Sequence, residues 1–255
     1  MTPILLLGAG RMGGALIEGW LKAGAFAASD IMVRDPRPGP LPPGVRINPA
    51  DQDLAAAKTV VLAVKPQIWR ETAGVAAHLA PDAVIVSVAA GVRAADIAQA
   101  FARKVARVMP TTAVAIGQGT ASLYADDPVA RARARALLEP VATVVDLPNE
   151  GLMHAATAVS GSGPAYLYAF VEALEAAGVE AGLDEAASRQ LARSTVTGAA
   201  ALLAQSGAEP SDLRKQVTSP GGTTQAALEV ILAELPDLMA RAVAAAARRS
   251  EELGS

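Results

Sequence analysis

The chain has 255 residues, 52% hydrophobic but only 3% aromatic, with no cysteine, two histidines (His78 and His154) and a formal net charge of −3. Those numbers exclude disulfides, thiolate metal sites, a cysteine nucleophile and a two-histidine metal centre, and no basic tail or aromatic-basic interleaving invites nucleic acid. No apolar run approaches the roughly 20 residues of a membrane span, and the run from Ile4 to Leu7 is too short for a signal sequence, so a cytoplasmic protein with no metal and no membrane partner is expected.

In chain order, Ile4 to Leu7 has the length of a buried strand and runs into Gly8-Ala9-Gly10-Arg11-Met12-Gly13, after which a helix is predicted from about Gly14 to Ala23. A second strand, Ile31 to Val33, ends in Arg34-Asp35. Strand, glycine turn, helix and strand, with polar residues about 20 positions past the glycines, is the setting that makes a G-x-G-x-x-G match a dinucleotide site. Gly8 would permit the tight turn, Gly10 the approach of a pyrophosphate, and Gly13 close helix–strand packing. The proline-rich stretch Pro36–Pro43 leaves the second strand and could lie over the adenosine.

Further strands are predicted at Thr59–Val64, Val84–Val88, Val105–Met109, Thr120–Tyr124 and Val141–Val145, with helices at Gln67–Leu79, Ala94–Arg103 and Arg131–Leu138. This alternation specifies an α/β domain, a doubly wound and mostly parallel sheet of the Rossmann type. Ligands of such sheets bind outside the carboxyl ends of the strands. The steps Ala63-Val64-Lys65-Pro66 and Ala89-Ala90-Gly91 are therefore expected to border one crevice with the glycine turn.

Near Pro148 the character changes. Strand-like runs vanish and Ala-rich helical periodicity takes over, with helices expected at Glu150–Val159, Ala165–Ala181, Asp184–Gln205, Ser211–Val217 and Gly222–Leu253, the last kinked or divided at Pro236. The division expected is residues 1–148 for dinucleotide binding and 149–255 for an all-α domain. Two turns rich in glycine and hydroxyls interrupt the helices: Ser160-Gly161-Ser162-Gly163-Pro164, read as a connector between two helices, and Ser219-Pro220-Gly221-Gly222-Thr223-Thr224, which opens onto the last helix. The unpaired N–H groups and partial positive charge of a helix start suit a small carboxylate. Apolar Ala-rich faces such as Ala242–Ala247 exceed what one small bundle can cover, which predicts an obligate dimer or a larger ring built from dimers.

With Val217-Thr218 preceding the second turn and Ala165-Tyr166 following the first, the chain resembles the pyrroline-5-carboxylate reductases over essentially its whole length. The resemblance implies reduction of a cyclic imino acid, Δ1-pyrroline-5-carboxylate, to proline by NAD(P)H, with a helical domain that interlocks with a second subunit. It places the Thr224 hydroxyl beside the imine nitrogen as the catalytic group. The carboxylate would then be held by the turn Ser219, Gly221, Gly222 and Thr223, through the N–H groups of Gly222 and Thr223 and the Ser219 hydroxyl.

The cofactor would lie on Gly8, Ala9, Gly10, Arg11, Met12 and Gly13, walled by Ala63, Val64, Lys65, Pro66, Ala90 and Gly91. NADPH is expected if Arg34 and Arg37 take its 2′-phosphate; NADH is the alternative if Asp35 takes a 2′-hydroxyl. Two departures stand out. The family usually has Met-Pro-Asn-Thr-Pro where this chain has Met109-Pro110-Thr111-Thr112-Ala113, and an acidic residue where His154 stands. Competing readings are another imine reductase, a β-hydroxyacid dehydrogenase, or a non-catalytic NADP-binding protein of the same fold. The lack of any lysine between Glu150 and Gln205 counts against a hydroxyacid, whose oxidation generally needs a helix-borne lysine.

Overall fold

A computed structural model describes residues 3–253. Contacts divide the chain into two compact units, one running to Ser162 and resuming at Ala244, the other Gly163–Val243.

The first unit is built on one eight-stranded sheet in the order β3-β2-β1-β4-β5-β6-β7-β8. The strands are β1 (Ile4–Leu7), β2 (Ile31–Arg34), β3 (Arg46–Ile47), β4 (Thr59–Leu62), β5 (Val84–Ser87), β6 (Lys104–Pro110), β7 (Gly119–Tyr124) and β8 (Ala142–Asp146). Every neighbouring pair is parallel except β6 with β7. Strand order reverses beside β1, the switch point at which ligands of such sheets bind.

Side chains alternate across a strand, so a four-residue apolar run feeds two cores. Ile4 and Leu6 join Leu16, Ile17 and Trp20 of α1 (Arg11–Lys22) and Leu137 of α3 (Pro128–Leu138) on one face. Leu5 and Leu7 join Met32, Trp69, Ile85 and Phe101 on the other, Phe101 being the last residue of α2 (Ala94–Phe101). Fully buried Trp20 donates its indole N–H to Leu137 O at 2.8 Å. Removing its ~200 Å² from water stabilises the fold by about 5 kcal/mol.

Several elements differ from the sequence expectation. Residues 69–78 form a 3₁₀ run, not a regular α-helix; Gly74 lies inside it, and the Thr72 hydroxyl bonds back to Trp69 O at 2.7 Å, competing with the α pattern. The glycine-serine stretch at 160–164 is no connector. After α4 (Met153–Ala156), residues Thr157–Gly161 form a π-turn closed by Ser162 N–H on Thr157 O at 2.9 Å, and α5 (Gly163–Glu180) follows directly.

The second unit holds α5, α6 (Glu185–Ser206), α7 (Pro210–Gln216) and most of α8 (Thr223–Glu252). Asp184, the first residue of the expected helix, caps α6, accepting from the N–H groups of Ala186 and Ala187. Pro210 stands in the first turn of α7, where its missing N–H costs nothing, so the helix begins one residue ahead of the expected start at Ser211. Pro236 does not divide α8; its neighbours keep the helix continuous on both sides. Between Gly163 and Val243, only Ser188 and Ala192 are buried among the described residues.

Candidate active site

The glycine turn leaves β1 at the switch point. Gly8 takes φ +92°, and its N–H donates to Arg34 O at 2.9 Å, which ties the turn to the end of β2. A Cβ on Gly8 would stand 2.9 Å from Val64 Cγ1 and 3.0 Å from Ala63 O, and one on Gly13 would stand 2.5 Å from Gly8 O. Both positions are closed to any side chain by the protein itself. Gly10 is the opposite case: its φ of −66° suits any residue, and a Cβ there would meet nothing within 4 Å. The space it faces is open, directly before Arg11 and Met12, where α1 begins without a side-chain cap. Unpaired first-turn N–H groups beside a bare Cα fit a pyrophosphate.

Around this loop the structure gathers the other expected cofactor residues. Ala63 N–H donates to Leu7 O at 2.8 Å and Val88 N–H to Leu62 O at 3.1 Å, so the segments after β1, β4 and β5 leave the sheet side by side. Lys65 is exposed and its carbonyl closes a turn with Ile68 N–H. Ala90 precedes Gly91, whose φ of +78° turns the chain toward α2.

The end of β2 corrects one expectation. The Arg34 guanidinium is committed to Pro49 O, at 2.8 Å, and to the Asp51 carboxylate, so it is not free for a 2′-phosphate. That bond, with His78 adding to it, holds the Asp51 carboxyl below its usual range. His78 Nε2 stands 3.5 Å from Asp51 Oδ2, a structural role. The Asp35 carboxylate accepts from Ala9 N–H and from Arg37 N–H, each at 2.8 Å. Arg11 and Arg37 are exposed and have no carboxylate within ion-pair distance among the described residues.

Farther along the sheet, the π-turn lies on the end of β6: a Cβ on Gly161 would stand 3.5 Å from Met109 Cγ. Thr111, where the family usually has Asn, is buried and clasps β7. Its N–H donates to Thr120 O at 2.9 Å and its hydroxyl accepts from Thr120 N–H at 3.1 Å. His154 Nδ1 lies 3.0 Å from the hydroxyl of buried Ser250.

In the second unit the Ser219–Thr224 turn is well defined by itself. Gly221 has φ +71° and its N–H donates to Gln225 Oε1 at 2.8 Å. Gly222 N–H turns back onto Ser219 O at 3.0 Å. This corrects the expectation that Gly222 donates to a carboxylate: its N–H is spent on the turn. The N–H groups of Thr223 and Thr224, in the first turn of α8, have no acceptor among the described residues. Ser219 is exposed and Thr224 half-buried.

Sequence reasoning missed three supporting residues. Asn48, at φ +48°, accepts from Asp35 N–H at 3.0 Å and donates to Asp35 O at 2.9 Å, fixing the strand end. Arg107, 3% exposed, pairs with Glu150 at 2.8 Å, and the same Glu150 oxygen accepts from Ala94 N–H at 2.7 Å, capping α2. A charged residue inside the apolar run Val105–Met109 was the available signal for that pair.

A family model described as pyrroline-5-carboxylate reductase dimerisation matches residues 150–253, and one described as NADP oxidoreductase, coenzyme F420-dependent, matches residues 3–91. The chain is 37% identical over 266 residues to the pyrroline-5-carboxylate reductase of Pseudomonas aeruginosa, covering 99% of this chain and 97% of that one. To the Synechocystis sp. enzyme it is 35% identical over 260 residues, covering 98% and 97%. Among solved structures, a pyrroline-5-carboxylate reductase from Coxiella burnetii superposes with TM-score 0.90 at 28% identity, covering 100% of this chain and 99% of that one. The Plasmodium falciparum pyrroline carboxylate reductase with NADP bound superposes with TM-score 0.84 at 25% identity, covering 100% and 98%. With that identity sustained from the glycine turn to the last helix, the chain belongs to the pyrroline-5-carboxylate reductase family.

Proposed function

We propose that this chain reduces Δ1-pyrroline-5-carboxylate to L-proline with NADPH. The observation that carries the reading is the pairing, in one chain, of a glycine loop open only at Gly10 with a helix start whose Thr223 and Thr224 N–H groups have no protein partner. NADPH, when bound, supplies the hydride that the imine carbon accepts, while the ring nitrogen, arriving protonated or taking a proton from water, ends as the secondary amine.

The protein's own task is to bind and orient. Gly8 and Gly13 let the loop pack against Ala63 and Val64, which leaves the space at Gly10 open beside the start of α1. Lys65, Pro66, Ala90 and Gly91 flank the nicotinamide side. The substrate carboxylate takes the N–H groups of Thr223 and Thr224 and the Ser219 hydroxyl; charge-assisted bonds of this kind are about twice as strong as neutral ones. Gly221 and Gly222 contribute shape, because their own N–H groups are used within the turn. Thr224 places its hydroxyl beside the imine nitrogen and orients it. A threonine hydroxyl is a weak acid, so its contribution is positional.

The protein is a homo-oligomer. An all-helical unit with two small buried residues has no core of its own, and Tyr168 (67% exposed) and Val230 (68%) present apolar surface that only a second chain would cover. We take the unit of assembly to be a dimer, from which a ring could be built. The reading is tested by adding Δ1-pyrroline-5-carboxylate to enzyme and NADPH and following the NADPH absorbance. Stoichiometric loss with appearance of proline is expected; a flat trace with bound cofactor would leave only a nucleotide-binding protein.

A further inference from the structure

We propose that Glu150 is a positioning residue for hydride transfer: seated on the buried Arg107 guanidinium, its carboxylate holds the start of α2 and, through it, the Ala90–Gly91 step. This rests on the reading that Ala90 and Gly91 flank the nicotinamide. Residues 88–93 connect β5 to α2. The near end is tied to the sheet, Val88 N–H donating to Leu62 O at 3.1 Å and Ala89 N–H to the Ser87 hydroxyl at 3.3 Å. Ala90 and Gly91 donate no backbone hydrogen bond among the described residues. Gly91, at φ +78°, then turns the chain toward α2.

Where that turn comes to rest is set at its far end. The residue before α2, Arg93, gives the helix no side-chain cap; its guanidinium is bonded to Asp96. The cap comes from Glu150, whose Oε1 accepts from Ala94 N–H at 2.7 Å.

That oxygen is itself fixed. Arg107 stands two residues after Val105 on β6, on the face that packs Ile97 and Phe101 of α2, and its register partner on β5 is Ser87. Its Nη1 donates to the same Glu150 Oε1 at 2.8 Å, and no other carboxylate pairs with it among the described residues. Glu150 opens a short 3₁₀ turn in which Leu152 N–H donates to the Asn149 side chain at 3.2 Å. One carboxylate oxygen thus joins β6, the start of α2 and the turn before α4. For stability alone the pair is a poor choice, since apolar residues of similar volume in place of a buried ion pair are often neutral or stabilising. Apolar side chains cannot, however, accept the Ala94 N–H and so place the loop ahead of it. A misplacement of about 1 Å around reacting atoms costs up to roughly 100-fold in rate.

The test uses three variants. Arg107→Met/Glu150→Leu removes the tie and leaves no buried charge unpaired. Ala94→Pro removes the donor and keeps both charges; proline suits a first helical position, and Arg93 before it, at ψ 146°, already has the extended backbone proline requires. Glu150→Gln keeps the acceptor oxygen. Each is titrated with the nicotinamide-free fragment 2′-phospho-ADP-ribose, and NADPH loss is followed in a single turnover with saturating Δ1-pyrroline-5-carboxylate. The double variant and Ala94→Pro should bind the fragment within about twofold of wild type, while the single-turnover rate constant falls about tenfold at full amplitude. Glu150→Gln should stay within about threefold of the wild-type rate constant. A merely structural pair would lower the amplitude with the folded fraction and leave the rate constant alone, and that result overturns the proposal. So does a Glu150→Gln rate constant as low as that of Ala94→Pro. If the double variant does not fold, Ala94→Pro reads the same prediction. A rate constant that holds while fragment binding weakens more than about tenfold would set the Ala90–Gly91 step against the adenosine half and overturn the nicotinamide reading beneath the proposal.

Discussion

Substituting Gly10 with Ala separates what the protein needs from what the cofactor needs. The backbone there, φ −66° and ψ −161°, is open to alanine, and the added methyl meets no protein atom within 4 Å. The stability terms are small and opposed. Alanine restricts the unfolded chain, a gain of about 0.4–1 kcal/mol, and is a poorer residue than glycine at a helix N-cap, a loss of similar size. The melting temperature should therefore move by no more than about 3 °C in a chain of this length. The methyl does, however, fill the space through which a pyrophosphate would reach the N–H groups at the start of α1. Losing one hydrogen bond to a charged group costs about 1.5–3 kcal/mol, which raises the NADPH dissociation constant roughly 10- to 150-fold. Calorimetric titration of NADPH into wild type and Gly10→Ala, with a melt of each, reads both effects. An unchanged dissociation constant with an unchanged melt would refute the assignment of this loop. A collapsed melt would refute the claim that the space at Gly10 is free.

Other outcomes follow from the same geometry. Thr224→Ala should lower kcat/KM for the imino acid by about tenfold while the NADPH dissociation constant stays within twofold, since the residue orients the substrate alone; unchanged kinetics would remove it from the site. Glu150→Ala strands the buried Arg107 guanidinium and uncaps α2 together; with Glu150 itself partly exposed, a loss of about 2–3 kcal/mol and a fall of roughly 4–12 °C in melting temperature are expected. Asp127 caps α3, and its carboxyl is held below the usual range first by its bond to Lys104 and then by the Ala130 N–H. A depressed carboxylate contributes stability that is complete above its unfolded pKa, about 4, and is lost as pH falls through the lower folded value. Melts between neutral pH and acid should thus be flatter for Asp127→Ala than for wild type below about pH 4, and parallel curves would exclude the contribution.

The sheet and the glycine loop were legible in the sequence because each depends on local chemistry. Ile4 to Leu7 reads as a buried strand from composition alone, and Gly8 and Gly13 are glycines for reasons of backbone approach that the spacing already encodes. Less legible were features fixed by distant partners. Nothing near Arg34 announces that Pro49 O and Asp51 will take its guanidinium, 15 and 17 positions on. The Gly222 N–H was available on paper and is used by Ser219 O once the turn closes. The stretch from Ser160 to Pro164 reads as a connector because glycine and serine favour turns, yet the Ser160 hydroxyl bonds back along the helix to Ala156 O, as Thr157 does to Met153 O, and a π-turn at Thr157–Gly161 carries the chain through. Pro236 likewise looked like a break and is tolerated within a long helix. The capping role of Glu150 and the strand-end pairing of Asn48 required the fold, since Ala94 lies 56 residues from Glu150 and Asp35 lies 13 from Asn48.

The central claim is hydride transfer from NADPH to the imine carbon of a carboxylate-bearing ring. Its most direct test uses NADPH deuterated at the transferring position of C4, with product analysed by mass spectrometry and proton NMR. The account predicts proline carrying one deuterium, located on the ring carbon that was doubly bonded to nitrogen, at one label per NADPH consumed. Proline without the label, or NADPH that stays intact beside unreacted imine, would contradict it.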